Sequence, residues 1–199
     1  SPDGPSPSYQ FGAAVAGPLL AGFAGWVADT TAEIGVNTTH CLLREGATIA
    51  DLMERVRPTS ATRLVHASRW VMTRAAVLTG SVDEIADALG RRSMLTTRNV
   101  ADAFNVDPRL VEQVIGFHPV HHAQRPAAVD AIAAHGELRE LIVSGASQVR
   151  KRLMRYLHDT LDLDASRLVL ADIGWGGTIQ TCLERVLDAE GVPVKVTGL

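Results

Sequence analysis

Three short polar segments each follow an apolar run and precede a helical pattern: Arg44-Glu45-Gly46, Ser68-Arg69, and Asp172-Ile173-Gly174-Trp175-Gly176-Gly177-Thr178. Together they offer two guanidinium groups, two carboxylates, hydroxyls and a glycine-rich turn, the chemistry of an anion-binding crevice. The last segment is the most specific. Gly174, Gly176 and Gly177 would let backbone N–H groups approach a phosphate closely, and Thr178 would cap the helix whose positive end favours that anion. Asp172 could bind sugar hydroxyls or a metal carried by a phosphate. The same residues also suit a plain tight turn capped by an aspartate, because glycine turns are common. Trp175 would stack on a sugar or base, or pack over the loop.

The elements that must position these loops read as an α/β alternation. Short apolar runs at Thr39–Leu43, Arg63–Ala67 and Arg167–Ala171 alternate with helical patterns, and Val192–Leu199 reads as a closing strand. That order predicts a parallel, doubly wound, Rossmann-like sheet, in which every strand-to-helix loop lies at the carboxyl edge where ligands bind. Residues 1–8 (SPDGPSPS) read as a linker, 9–80 and 161–199 as the two parts of the α/β core, and 81–160 as a helical insertion or cap. Within that insertion Ser81-x-x-Glu84 is a capping box, and helices are expected over Ala127–Ile142 and Ser144–Leu161. A linker at one end and a strand at the other predict a domain of a larger protein, cut at both ends. Phe11–Ala28 contains no charged residue. Its several glycines, Pro18, and apolar residues at spacings of three and four predict a buried helix starting near Pro18 rather than a membrane span.

Composition narrows the function classes. The 199 residues are 46% hydrophobic and 21% charged, which excludes global disorder and provides for a proper core. A formal charge of −3 leaves no basic field for holding nucleic acid. Cys41 and Cys182 are too few for a disulfide scaffold or a cysteine zinc site, and a cytoplasmic location is the expectation. Arginine far outnumbers lysine, which occurs only at Lys151 and Lys195, and this bias suggests no chemistry by itself.

Other signals weigh less. His118, His121 and His122 cluster in a proline-flanked loop, and no metal site is assigned to them, since metal binding needs three or four converging ligands. His66 reads as a core histidine on a strand. Thr97–Ile115 has the cadence of a helix-turn-helix, yet its second helix carries Asp107 and Glu112 beside Arg109 and lacks the positive surface a DNA reader needs. Arg150, Lys151, Arg152 and Arg155 form a dense basic run, either a solvated helix face or a receiver of phosphate.

Two resemblances add to this reading. RLVLADIGWGGTIQTCLERVLDAEGVPVKVTGL resembles the phosphoribosyl-diphosphate loop of type I phosphoribosyltransferases, and THCLLREGATIADLMERV is similar to their diphosphate loop. The resemblance implies that Gly176, Gly177 and Thr178 hold a 5′-phosphate, Asp172 the ribose hydroxyls, and Arg44–Ala47 the diphosphate. That family usually carries two adjacent acidic residues, whereas Ala171 precedes Asp172 here and the loop is one residue shorter. Over nearly the whole chain, GPLLAGFAGWV, LLREG with HASRW, and ADIGWGGTIQ resemble a region of bacterial proteins described as predicted haloacid-dehalogenase-superfamily hydrolases. Such proteins often accompany glycosyltransferases in surface-polysaccharide gene clusters. The phosphatase module itself would lie upstream: Asp162-Leu163-Asp164 follows a helical pattern and reads as a turn, and Gly174 stands where a second carboxylate would be needed.

The expected function is therefore a sugar-phosphate or nucleotide-sugar binding domain, catalytic with Asp172, Arg44 and Glu45 in the reacting roles. Gly46, Ser68, Arg69, Gly174, Gly176, Gly177 and Thr178 would hold phosphate, and Trp175 would stack on the substrate. Its partners would be that ligand and other domains of the same polypeptide. A diphosphate-dependent transferase is the alternative, with Asp172 ordering hydroxyls together with Mg²⁺ and Arg44 stabilising the departing diphosphate. A non-catalytic interaction module that keeps the fold is the alternative from another class.

Overall fold

The computed structural model describes residues 4–90, 94–174 and 176–199. In chain order it contains α1 (Pro7–Phe11), a π-helical turn (Gly12–Ala16), α2 (Gly17–Glu33), β1 (Thr38–Leu42), α3 (Gly46–Val56) and β2 (Ala61–Val65). There follow α4 (Arg69–Ala75), α5 (Val82–Leu89), β3 (Met94–Leu95), α6 (Thr97–Phe104), α7 (Pro108–Ile115) and β4 (Val120–His121). The chain continues through α8 (Arg125–Ala134), α9 (Gly136–Thr160), β5 (Arg167–Ala171), α10 (Thr178–Ala189) and β6 (Lys195–Gly198). It divides into two units: Ser1–Ala67, Thr160–Gln180 and Val194–Leu199 form the first, and Ser68–Asp159 and Thr181–Pro193 the second.

The first unit is built on a four-stranded parallel sheet in the order β2-β1-β5-β6, flanked by helices in a Rossmann-like arrangement. Leu168–Ala171 of β5 are buried at every position, as a central parallel strand covered on both faces requires. β2 runs at the edge and leaves Leu64 exposed. Against one face Ala24, Val27 and Ala28 of α2 and Ile49, Ala50 and Met53 of α3 meet Cys41 and Ala171. Both helices bury residues three and four apart, and α3 turns Asp51, Glu54 and Arg55 outward. Thr31 pins α2 to the sheet. Its hydroxyl donates to the Val27 carbonyl at 2.7 Å and shares a 3.0 Å hydrogen bond with Thr39 of β1.

The strand positions differ slightly from those expected, β2 starting two residues before Arg63 and β6 occupying only part of Val192–Leu199. The buried histidine of the sheet is His40, not His66. His40 lies on β1 with Nδ1 3.3 Å from the Val169 carbonyl oxygen, and burial lowers its pKa. His66 stands exposed just beyond the end of β2.

The N-terminal helix corrects a larger expectation. Helical structure starts at Pro7, capped by Ser6, and continues through the π-helical turn to Glu33, 27 residues that by length and composition alone could cross a membrane. Burial begins only at Ala24; Tyr9, Phe11, Val15 and Leu19 are exposed. The physical reason is reach: the C-terminal half of α2 is the part that lies along α3 and β1.

The second unit has its own apolar core, drawn from α5, α6, α7, α8 and α9 with Leu95 and Val120. Those last two residues belong to a short antiparallel ladder, β3 with β4, inside a stretch whose sequence pattern predicts helices alone. The helix break expected near Val143 is absent, and α9 runs 25 residues. Leu138, Ile142, Ala146, Leu153, Met154 and Leu157 keep one buried stripe through it, so the periodicity never lapses. Glu84 completes the capping box and accepts from the backbone N–H groups of Thr79, Gly80 and Ser81 and from the Thr79 hydroxyl.

Several arginines of this unit carry a structural task. Arg125 donates to the carbonyls of Ala86 and Gly90 at the end of α5. Arg74 donates to Ala103 near the end of α6. Arg150 donates to Ala75 at 2.9 Å and Val77 at 3.2 Å, just where α4 ends, and pairs with Glu190 at 3.0 Å. Guanidinium groups at helix C-termini satisfy orphan carbonyls and oppose the negative end of the dipole. The arginine-rich composition therefore has a use in this fold. Arg150, one member of the basic run, is committed to structure.

Candidate functional site

The carboxyl ends of β1, β5 and β6 lie side by side because the strands are parallel and in register, Cys41 opposite Ala171 and Leu170 opposite Gly198. Just past these ends is a cavity of about 210 Å³ lined by Leu42, Leu170, Asp172, Gly174, Gly177, Gln180, Gly198 and Leu199. Asp172 is the first residue beyond β5, and its partly exposed carboxylate lies over Gly174. A Cβ on Gly174 would run into that carboxylate, whose Cγ lies 3.0 Å from the Cβ position. Gly177 has φ of +57°, a left-handed conformation that directs the chain into α10 and that side chains disfavour. Thr178 opens α10, and Gln180, on its first turn, contributes to the cavity wall.

Gln180 and Gly198 also line the cavity, and no sequence motif marks either of them. The Gln180 carboxamide lies directly over the Gly198 backbone, in space that any Cβ there would take. The pattern offered one usable signal, a polar residue two positions after the helix-opening threonine. The approach of β6 that makes it part of the wall is tertiary.

The β1–α3 loop is adjacent. Gly46 begins α3 pressed onto β1, where a Cβ would stand 2.8 Å from the backbone carbon of Cys41. This glycine serves close packing at the loop, and it is buried. Arg44 and Glu45 are exposed and form an ion pair at 2.7 Å. The Arg44 guanidinium, helped by a hydrogen bond from the residue's own backbone N–H to its carboxylate, holds the Glu45 carboxyl below its usual range. Neither side chain is among the residues that line the cavity, to which this side of the site contributes Leu42, the last residue of β1. Beneath the loop, burial pushes the Cys41 thiol up to about 11, so it stays protonated at neutral pH and is no nucleophile.

The remaining expected residues fall as follows. Ser68 and Arg69 open the second unit, where the Ser68 hydroxyl caps α4 by accepting from the Val71 N–H at 3.3 Å. Gly176 lies exposed in the turn, outside the cavity lining, and Trp175 lies outside the described residues. Among the described residues, no three His, Cys, Asp or Glu side chains gather as metal ligands. His118 meets the Phe117 ring edge-on, and His135 accepts from the Leu138 N–H at the start of α9. α6 and α7 do form two helices about a tight turn, with Asn105 left-handed and Asp107 capping α7. Arg98, on the exposed side, lies 3.7 Å from Asp102.

Compared with models of known protein families, the chain matches none, and a comparison with curated proteins likewise finds no match.

Proposed function

We propose that this chain is a phosphorylated-sugar binding domain of the phosphoribosyltransferase-like kind, acting in surface-polysaccharide or glycoconjugate metabolism beside a haloacid-dehalogenase-like module. The observation that carries the reading is the cavity at the carboxyl edge of the sheet, walled by Asp172 and the glycine turn that opens α10. In open parallel sheets this edge is where ligands bind. A carboxylate for hydroxyl groups beside a glycine turn with free approach for phosphate is the chemistry a sugar phosphate requires. Its size, about 210 Å³, is below the range of about 300–1,000 Å³ usual for larger ligands and suits one sugar phosphate better than a whole nucleotide sugar. The metabolic setting comes from the resemblance of the sequence motifs alone.

Mg²⁺ would enter on the phosphorylated ligand, with Asp172 as the protein's carboxylate toward it. Magnesium commonly takes one or two carboxylates and completes its shell with phosphate oxygens and water. When bound, it would neutralise phosphate charge. Diphosphate-dependent transfer is a second reading in which Arg44 must leave Glu45 before it can meet a diphosphate.

The experiment is calorimetry and thermal shift on the chain with ribose 5-phosphate, glucose 1-phosphate and a nucleotide diphosphate sugar, each with and without Mg²⁺. A ligand at a hundredfold its Kd stabilises the fold by about 2.7 kcal/mol. Asp172→Asn should keep the fold and lose that shift. An unchanged affinity in Asp172→Asn, or no shift with any of these ligands, would overturn the proposal.

A further inference from the structure

The second unit holds a cavity of about 320 Å³ where α4, the end of α6 and the middle of α9 meet, within the size range of small-molecule sites. Its polar lining is Arg74, Asn105, Gln148 and Arg152, and its apolar floor is Ala103, Phe104, Ala146 and Val149. No carboxylate is among the lining residues. We infer that this cavity binds a small organic oxyanion, a phosphate or carboxylate group carried on an apolar body.

Three features support this reading. Arg74 is buried and held from several sides: it donates to the Ala103 carbonyl and to the Trp70 carbonyl at 2.8 Å, and stacks on the Trp70 ring. A guanidinium fixed in this way loses little further freedom when an anion arrives. Arg152 sits on the exposed side of α9, one turn beyond Gln148, so the two residues share a helix face. It supplies the second cation at the mouth. Gly145, whose Cβ position lies 3.1 Å from the Phe104 carbonyl oxygen, lets α9 approach the end of α6 closely enough to bring these groups around one space. Asn105, left-handed at the end of α6, lines the cavity at that same junction.

The test uses the full chain labelled with ¹⁵N and three probes of one shape: phenyl phosphate, benzoate and the uncharged benzyl alcohol. Phenyl phosphate or benzoate should shift the carboxamide signals of Asn105 and Gln148 in a saturable way, and the tighter of the two identifies the oxyanion. Arg152→Ala, at an exposed position that leaves folding intact, should weaken that binding about tenfold, a loss of about 1.4 kcal/mol. Asp172→Asn should leave it unchanged, which separates this site from the sugar-phosphate cavity of the first unit. If neither anion shifts Asn105 and Gln148, if benzyl alcohol binds as well as the anions, or if Arg152→Ala binds with full affinity, the inference is wrong.

Discussion

The backbone N–H of Asp172 donates to the carbonyl of Leu199 at 3.2 Å, and the Leu199 N–H in turn donates to Leu170 at 2.9 Å. These two bonds carry the β5–β6 pairing past the last ladder residue and into the turn that bears the candidate site. They place Gly198 against the Gln180 carboxamide and make the terminal strand one wall of the cavity. Asp172 is thus held through its backbone while its carboxylate stays available.

Gly198→Ala should separate binding from stability. The new methyl would displace only the far end of a flexible glutamine, so urea denaturation should show a change of about 1 kcal/mol or less. The displaced carboxamide must go elsewhere, and calorimetry should find sugar-phosphate binding weakened. Full affinity would mean that Gln180 is not part of the site.

Gly46→Ala should act in the opposite way, through the fold. Its methyl meets backbone atoms of Cys41, 2.8 Å from the carbon and 3.1 Å from the carbonyl oxygen, and neither can move without disturbing β1. Overpacking of this kind costs about 1–3 kcal/mol, readable as a lower urea midpoint at unchanged slope.

Glu84 should make stability fall in acid. Burial pushes its carboxyl up, but the backbone N–H groups around Thr79 to Ser81 and the Thr79 hydroxyl outweigh burial and bring the pKa below its ordinary value. A depressed folded-state pKa means the contribution is complete above the unfolded value of 4.5 and is lost as pH falls through the lower folded value. Glu84→Gln should cost about 1–3 kcal/mol at pH 7 and flatten this part of the stability profile. Equal acid sensitivity in the variant and the wild type would refute the assignment.

Arg150→Ala removes a half-hidden ion pair and two carbonyl hydrogen bonds at once. Because Ala75 and Val77 would lose their charged donor, a destabilisation of about 1.5–3 kcal/mol is expected in thermal unfolding. Lys151→Ala, next along the run but exposed, should stay within about 0.5 kcal/mol of the wild type.

What the sequence determined by itself was the local grammar. Alternating apolar runs and helical stripes announced a parallel α/β sheet, the capping box at Ser81 and Glu84 was readable from its spacing, and Asp172 with Gly177 stood out as a turn opening a helix. All of these rest on interactions within a few residues, or on the repeat that burial of one face imposes. Tertiary structure decided what the same residues do. Arg74, Arg125 and Arg150 look identical in sequence to solvated arginines, because the helix-end carbonyls they serve lie 29 to 75 residues away. Only packing assigned burial to His40 and exposure to His66, and only packing left the first half of the long apolar helix uncovered. The site itself divided in the same manner. Its turn was legible because it is local, whereas Gln180 and Gly198 became one wall only when β6 came alongside β5. A loop's chemistry is written in its own residues; its company is set by strand order and register, which no short stretch of sequence contains.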